Sequence, residues 1–218
     1  MDVTGNGFCL VVPLKPLAVA KSRLAPAAGA VRPALALAFA LDTVAAALAC
    51  AEVADVTVVT DDPTTGARLA ELGAYVVADR PAAGLNAALR YGAERARDRI
   101  PSAPVAALGG DLPALRPAEL ALVLREAAAA RGRAFLADAA GVGTTLLATP
   151  PRAPLAPAFG GASRARHLAS GAREIVLPEV PSVRQDVDTG EDLRAALSLG
   201  VGPRTAALLR RPLASGRS

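Results

Sequence analysis

Lys15 and Lys21 are the only lysines among 24 basic residues, and both fall in the segment Pro13-Leu14-Lys15-Pro16-Leu17-Ala18-Val19-Ala20-Lys21-Ser22-Arg23-Leu24. Every other basic residue is arginine. A compact ammonium on a flexible stem and a planar guanidinium fork suit different partners. Lysine kept at these two positions alone points to sites that need the ammonium. The apolar run Phe8 to Val12 precedes them and reads as a buried strand. A strand that opens into a basic loop is where α/β proteins place phosphates. The spacing is not that of a P-loop, because GxxxxGK[ST] is absent. The plain alternative is a proline-rich turn with solvated charges.

Carboxylates form the second group. Gly109-Gly110-Asp111-Leu112-Pro113 follows an apolar run and would aim Asp111 into the crevice at the end of a strand. In Asp186-Val187-Asp188-Thr189, read as the end of a strand over 183–187, positions i and i+2 face the same way. Carboxylates gathered in one crevice repel unless a cation joins them, and Mg²⁺ with substrate phosphates meets that need. Each site has a plain reading as well: Asp111 as a turn residue, and Thr189 as the cap of the last helix. A third group is Phe159-Gly160-Gly161-Ala162-Ser163, whose glycines lead into a helix with Ser163 near its cap, a position suited to an anion. His167, the only histidine, reads as structural.

These groups need elements to position them. Strands are expected at 8–14, 56–60, 75–78, 104–108, 134–137, 144–148, 174–177 and 183–187. Helices are expected at 33–50, 63–72, 85–100, 117–131, 163–170 and 191–199. Asp61-Asp62-Pro63 signals one helix start and Gly73 its end. Such alternation implies an α/β fold with a mostly parallel, mixed sheet and helices on both faces. No repeat or linker divides the 218 residues, so one domain is expected over 1–218, with 200–218 as a peripheral tail.

Composition narrows the class. Hydrophobic residues make up 52% and charged residues 20%, which argues against disorder. Aromatics are 3% and the net charge of +4 is scattered, so no surface for nucleic acid stands out. Positions 34–51 are apolar except for Asp42 and Thr43, and a charge at the centre marks a core helix rather than a membrane span. Cys9 and Cys50 have no metal spacing and read as buried thiols of a cytoplasmic protein.

A parallel sheet, a basic loop after the first strand and three separated aspartates suit nucleotidyl transfer. An acceptor that is itself a phosphate is already anionic, so no general base is required. The segments Pro13-Leu14-Lys15-Pro16-Leu17, Ala20-Lys21-Ser22-Arg23-Leu24, Gly109-Gly110-Asp111-Leu112-Pro113, Phe159-Gly160 to Ser163 and Asp186-Val187-Asp188-Thr189 resemble the 2-phospho-L-lactate/phosphoenolpyruvate guanylyltransferases of coenzyme F-420 biosynthesis. The resemblance spans nearly the whole chain and implies a glycosyltransferase-A-like nucleotidyltransferase fold. The wider group usually carries a glycine-rich LxGGxSxRMG loop after the first strand. This chain lacks it, so side chains must act where its relatives use backbone amides.

The resemblance implies Mg²⁺ at Asp111, Asp186 and Asp188. It implies the acceptor phosphoenolpyruvate against Thr145, Gly160 and Ser163. It implies GTP along Lys15, Lys21, Ser22 and Arg23, with Lys15, Lys21 and Arg23 as the catalytic cations. Asp79, Gly84 and Asn86 resemble the family's nucleoside-contacting turn. The partners implied are these small molecules, with no nucleic acid or membrane, and a homo-oligomer is left open. The alternatives are 2-phospho-L-lactate as acceptor, a nucleotidyltransferase acting on a molybdenum-cofactor nucleotide or a sugar phosphate, and a non-catalytic nucleotide-binding protein.

Overall fold

The computed structural model describes residues 7–15, 24 and 29–210. After β1 (Phe8–Pro13) and a 3-10 turn (Gly29–Val31), the elements run α1 (Arg32–Leu48), β2 (Val53–Val59), α2 (Pro63–Glu71), β3 (Tyr75–Val77), α3 (Leu85–Arg99), β4 (Val105–Leu108) and α4 (Pro117–Ala128). There follow β5 (Ala134–Ala137), β6 (Thr144–Thr149), α5 (Ser163–Ala169), β7 (Arg173–Glu174), α6 (Pro181–Arg184), α7 (Gly190–Leu199) and α8 (Pro203–Leu209). The strands form one sheet in the order β3-β2-β1-β4-β6-β5-β7. The β1–β2, β2–β3, β1–β4 and β5–β7 pairings are parallel. Among the described strands only β6 runs against its neighbours, β4 and β5. The mixed, mostly parallel sheet is the one expected.

β1 is buried on both faces, which is why it reads as a continuous apolar run. Phe8, Leu10 and Val12 join a core with Leu41 and Val44 of α1 and Leu120 and Leu124 of α4. Cys9 and Val11 face the other way, onto Ala88, Leu89 and Ala93 of α3. Burying a side chain such as Leu10 contributes about 1.5–3 kcal/mol relative to exposure. α3 approaches closely because Gly92 has no side chain: a Cβ there would lie 2.5 Å from Val11 Cγ1 and 2.7 Å from Val59 Cγ2. A third cluster joins Leu35 and Phe39 of α1 to Ala114, Val187 and Ala196 of α7.

The local signals act as expected. Asp62 accepts from Thr65 N–H at 2.9 Å and caps α2. Gly73 follows that helix with φ +101°. Thr189 and Asp192 form a reciprocal capping box at the start of α7. Cys9 and Cys50 are buried free thiols, and burial pushes the Cys9 thiol up to about 11. Among the described residues no helix is long and apolar enough to cross a membrane.

Three expectations need correction. The segment 183–187 is not a strand; α6 occupies its beginning. Pro181 cannot donate to a ladder and suits a helical first turn. Gln185 N–H closes that turn on Pro181 O at 3.1 Å, and Ser182 N–H donates to Glu119 at 2.8 Å. The strand at 174–177 shortens to β7, where Arg184 donates to Ile175 O at 3.4 Å in place of a further strand. The segment 200–210 is not a loose tail, because α8 docks on α1 through the buried carboxylate of Asp42. Residues 211–218 lie outside the described residues, as do 16–23 and 25–28, where the sequence predicts a loop.

Candidate active site

The ends of β1, β4 and β5 and the start of β6 lie at the same end of the sheet's central strands, around a cavity of about 680 Å³. The turn after β4 brings Asp111 to it. Gly109 N–H donates to Thr145 O at 2.8 Å, which fixes the turn against β6. Gly110 lets the Leu14 side chain lie close, because a Cβ there would make that side chain shift. Val187 N–H donates to Asp111 O at 3.1 Å and draws the second acidic segment alongside. Val187 is fully buried, while Asp186 and Asp188 on either side of it line the same cavity as Asp111. Extended chain after α6, not a strand, thus brings Asp186 and Asp188 to the cavity that Asp111 lines.

Among the described residues, no three His, Cys, Asp or Glu side chains are gathered closely enough to hold an ion by themselves. Mg²⁺ bound beside these aspartates would therefore complete its shell with water and substrate phosphate, as it ordinarily does.

Lys15 is exposed and lines both this cavity and a smaller adjoining hollow of about 100 Å³. Asp79 and Gly84 share that hollow with Asp61 and Leu85. Asp61 orders it by accepting from Asp79 N–H at 2.8 Å. Lys21, Ser22 and Arg23 lie outside the described residues. Asn86, expected on the nucleotide side, commits its amide to the opposite wall. It donates to Phe159 O at 3.1 Å and accepts from Phe159 N–H at 2.8 Å.

Gly160, Gly161 and Ser163 line the cavity beside Phe159. Both glycines have positive φ, at +97° and +44°, which a side chain would strain. Ser163 is buried, but as the first residue of α5 it caps nothing. Two N–H groups at this helix start are committed within the chain: Ser163 N–H to Gly161 O at 2.8 Å and Arg164 N–H to Val142 O at 3.1 Å. Thr145 is buried with its hydroxyl unpartnered, and Thr144 is the threonine that lines the cavity.

His167 is structural, as its isolation suggested. Ala158 N–H donates to its Nε2 at 3.0 Å, so Nδ1 carries the proton and donates to Thr144 Oγ1 at 2.9 Å. Burial, then the positive charges of Arg133 and Arg166, lower its pKa to about 4. A neutral ring with both nitrogens engaged is no general base.

Sequence reasoning missed Asp138 and its turn. Asp138, Val142 and Gly143 line the cavity, and the Asp138 carboxylate accepts from Val142 and Gly143 N–H at 2.9 and 2.7 Å. The available signal was an aspartate ending a strand before the glycine-containing turn Gly141-Val142-Gly143.

Residues 38–177 match the model of the MobA-like NTP transferase domain. The chain is 66% identical over 211 residues to a phosphoenolpyruvate guanylyltransferase of Streptomyces coelicolor, covering 96% of this chain and 99% of the relative. It is 67% identical over 210 residues to one of Streptomyces avermitilis, covering 96% and 97%. Among solved structures, it resembles one from Desulfovibrio desulfuricans G20 assigned to the nucleotide-diphospho-sugar transferases, with a TM-score of 0.71, 19% identity and 94% of each chain covered. It also resembles a CMP:2-keto-3-deoxy-manno-octonic acid synthetase, with a TM-score of 0.56, 17% identity and coverage of 89% and 98%. These likenesses fit the glycosyltransferase-A-like nucleotidyltransferase fold.

Proposed function

The chain belongs to the phosphoenolpyruvate guanylyltransferase family, within the MobA-like NTP transferases, and from that premise we propose that it transfers GMP from GTP to phosphoenolpyruvate. The products are pyrophosphate and enolpyruvoyl-2-diphospho-5'-guanosine, an intermediate for coenzyme F-420 biosynthesis in the cytoplasm. The main support within the molecule is the shared cavity. Lys15, four aspartates and the glycine loop at 159–163 all open onto it.

An oxygen of the acceptor phosphate attacks the α-phosphorus of GTP, and the bond to the β-phosphate oxygen breaks. The attacking oxygen is anionic at neutral pH, so no side chain need take a proton. That accords with a site whose nearby histidine is neutral and fully engaged. Lys15 neutralises phosphate charge from the β1 side, and Lys21 and Arg23 are assigned the same task. Asp111, Asp186 and Asp188 would hold Mg²⁺, which supplies charge stabilisation to the α-phosphate and the departing pyrophosphate. Asp61, Asp79 and Gly84 shape the hollow offered to the nucleoside. Gly160, Gly161 and Ser163 form the wall offered to the acceptor, with Phe159 excluding water beside them.

The test is pyrophosphate release with each of four nucleoside triphosphates against phosphoenolpyruvate and 2-phospho-L-lactate. GTP with phosphoenolpyruvate should be fastest and should stop on chelation. Equal turnover with ATP, or turnover undiminished by chelator, overturns this reading.

A further inference from the structure

We propose that Thr43, with its neighbour Asp42 and the C-terminal helix α8, forms a positioning unit for the metal ligand Asp111. The proposal rests on the assignment of Asp111 to a divalent cation and adds residues far from it in sequence.

Three consecutive residues of the metal turn are tied to three remote segments. Asp111 O accepts from Val187 N–H at 3.1 Å. Leu112 N–H donates to Thr43 Oγ1 at 3.0 Å. Pro113 O accepts from Gly202 N–H at 2.7 Å. Thr43 is fully buried in α1, and its hydroxyl proton goes to Phe39 O at 2.7 Å. The hydroxyl is thereby oriented with its lone pairs toward Leu112. It is the one side chain in the set, and it contacts the residue next to the ligand.

Asp42 holds the third tether in place. Its carboxylate accepts from Arg204 N–H at 3.2 Å and Thr205 N–H at 2.8 Å. A charge with 4% exposure is costly unless satisfied, so α8 and α1 are bound as a pair. Gly202 sits against that carboxylate, where a Cβ would lie 2.7 Å from Asp42 Cβ. Only glycine lets the chain pass close enough for its N–H to reach Pro113. Behind the turn, Ala114 and Val187 pack in the same apolar cluster as Phe39, with Leu208 of α8 against it. The C-terminal segment therefore closes the back of the metal turn. Partners one step removed from a ligand set its orientation, and their loss typically costs 10–100-fold in metal affinity.

The test is Mn²⁺ binding in the presence of GTP, followed by electron paramagnetic resonance on the full chain. Thr43→Val keeps the shape and removes the acceptor, and its Mn²⁺ affinity should fall about tenfold. Thr43→Ser restores the hydroxyl and should stay within about twofold of wild type. A folded Thr43→Val with wild-type affinity overturns the positioning role alone. Wild-type protein that binds no Mn²⁺ overturns the metal assignment beneath it. Should Thr43→Val fail to fold, amide hydrogen exchange on wild type decides. Mn²⁺ with GTP should slow exchange at Leu112 and Gly202, and unchanged rates at both overturn the proposal.

Discussion

The turn at 109–113, to which we assign the metal, and the loop at 159–163, to which we assign the acceptor, line one cavity, yet they are held by different kinds of bond. Around Asp111 the tethers are mainly backbone to backbone: Gly109 to Thr145, Val187 to Asp111 and Gly202 to Pro113. Around Phe159 they come from side chains. His167 accepts from Ala158 N–H, Asn86 brackets Phe159, and Arg166 donates to the carbonyls of Ala158 and Gly160. A backbone tether survives substitution of the residue that makes it, whereas a side-chain tether does not. Away from Thr43, Asp42 and Gly202, the turn around Asp111 should thus tolerate changes of a kind that displace the loop around Phe159.

The sharpest division comes from Asp188→Asn. It removes a carboxylate charge without changing the side chain's volume, so kcat should fall about 10²-fold or more in a variant that still folds. Near-normal turnover in the folded variant would reassign Asp188 to the start of α7.

Acid should attack the acceptor loop before the metal turn. His167 is held neutral in the folded protein, with its pKa lowered to about 4, while an unfolded chain protonates near 6.5. The stabilisation is complete above pH 6.5 and is lost as pH falls through 4, up to about 3 kcal/mol in all. Melting against pH should show this drop, and His167→Gln should flatten it. An equal drop in His167→Gln would assign the acid sensitivity elsewhere.

Asn86→Ala leaves a backbone N–H and C=O of Phe159 without their partner. The KM for phosphoenolpyruvate should rise about thirtyfold while that for GTP stays within about twofold. An equal rise for both substrates would return Asn86 to the nucleotide. Ser163→Ala loosens no tether and should raise the acceptor KM by about tenfold, from one hydrogen bond to a charged group. Weakened GTP binding with unchanged acceptor affinity would place the wrong substrate against this loop.

Much of this fold is written locally. The apolar run at Phe8–Val12, Asp62 before Pro63, Gly73 and the Thr189–Asp192 pair each fix an element within a few residues, and each forms where expected. The segment 183–187 misled because apolar content alone does not separate a strand from a short helix. Glu119 and Arg116, more than sixty residues away, settle it through Ser182.

By itself the sequence determined the residue types that can meet phosphate and cation: two lysines in one loop, three aspartates and a glycine-serine turn. Side-chain chemistry and short-range backbone preference are properties of the chain wherever it folds. Only the tertiary structure decided which of them share a wall. It turned Asn86 toward Phe159, put Thr144 rather than Thr145 on the cavity, added Asp138, and set Gly202 behind Asp111. Those choices depend on hydrogen bonds and close approaches between segments up to a hundred residues or more apart, such as Asp42 and Thr205, and no local spacing encodes them.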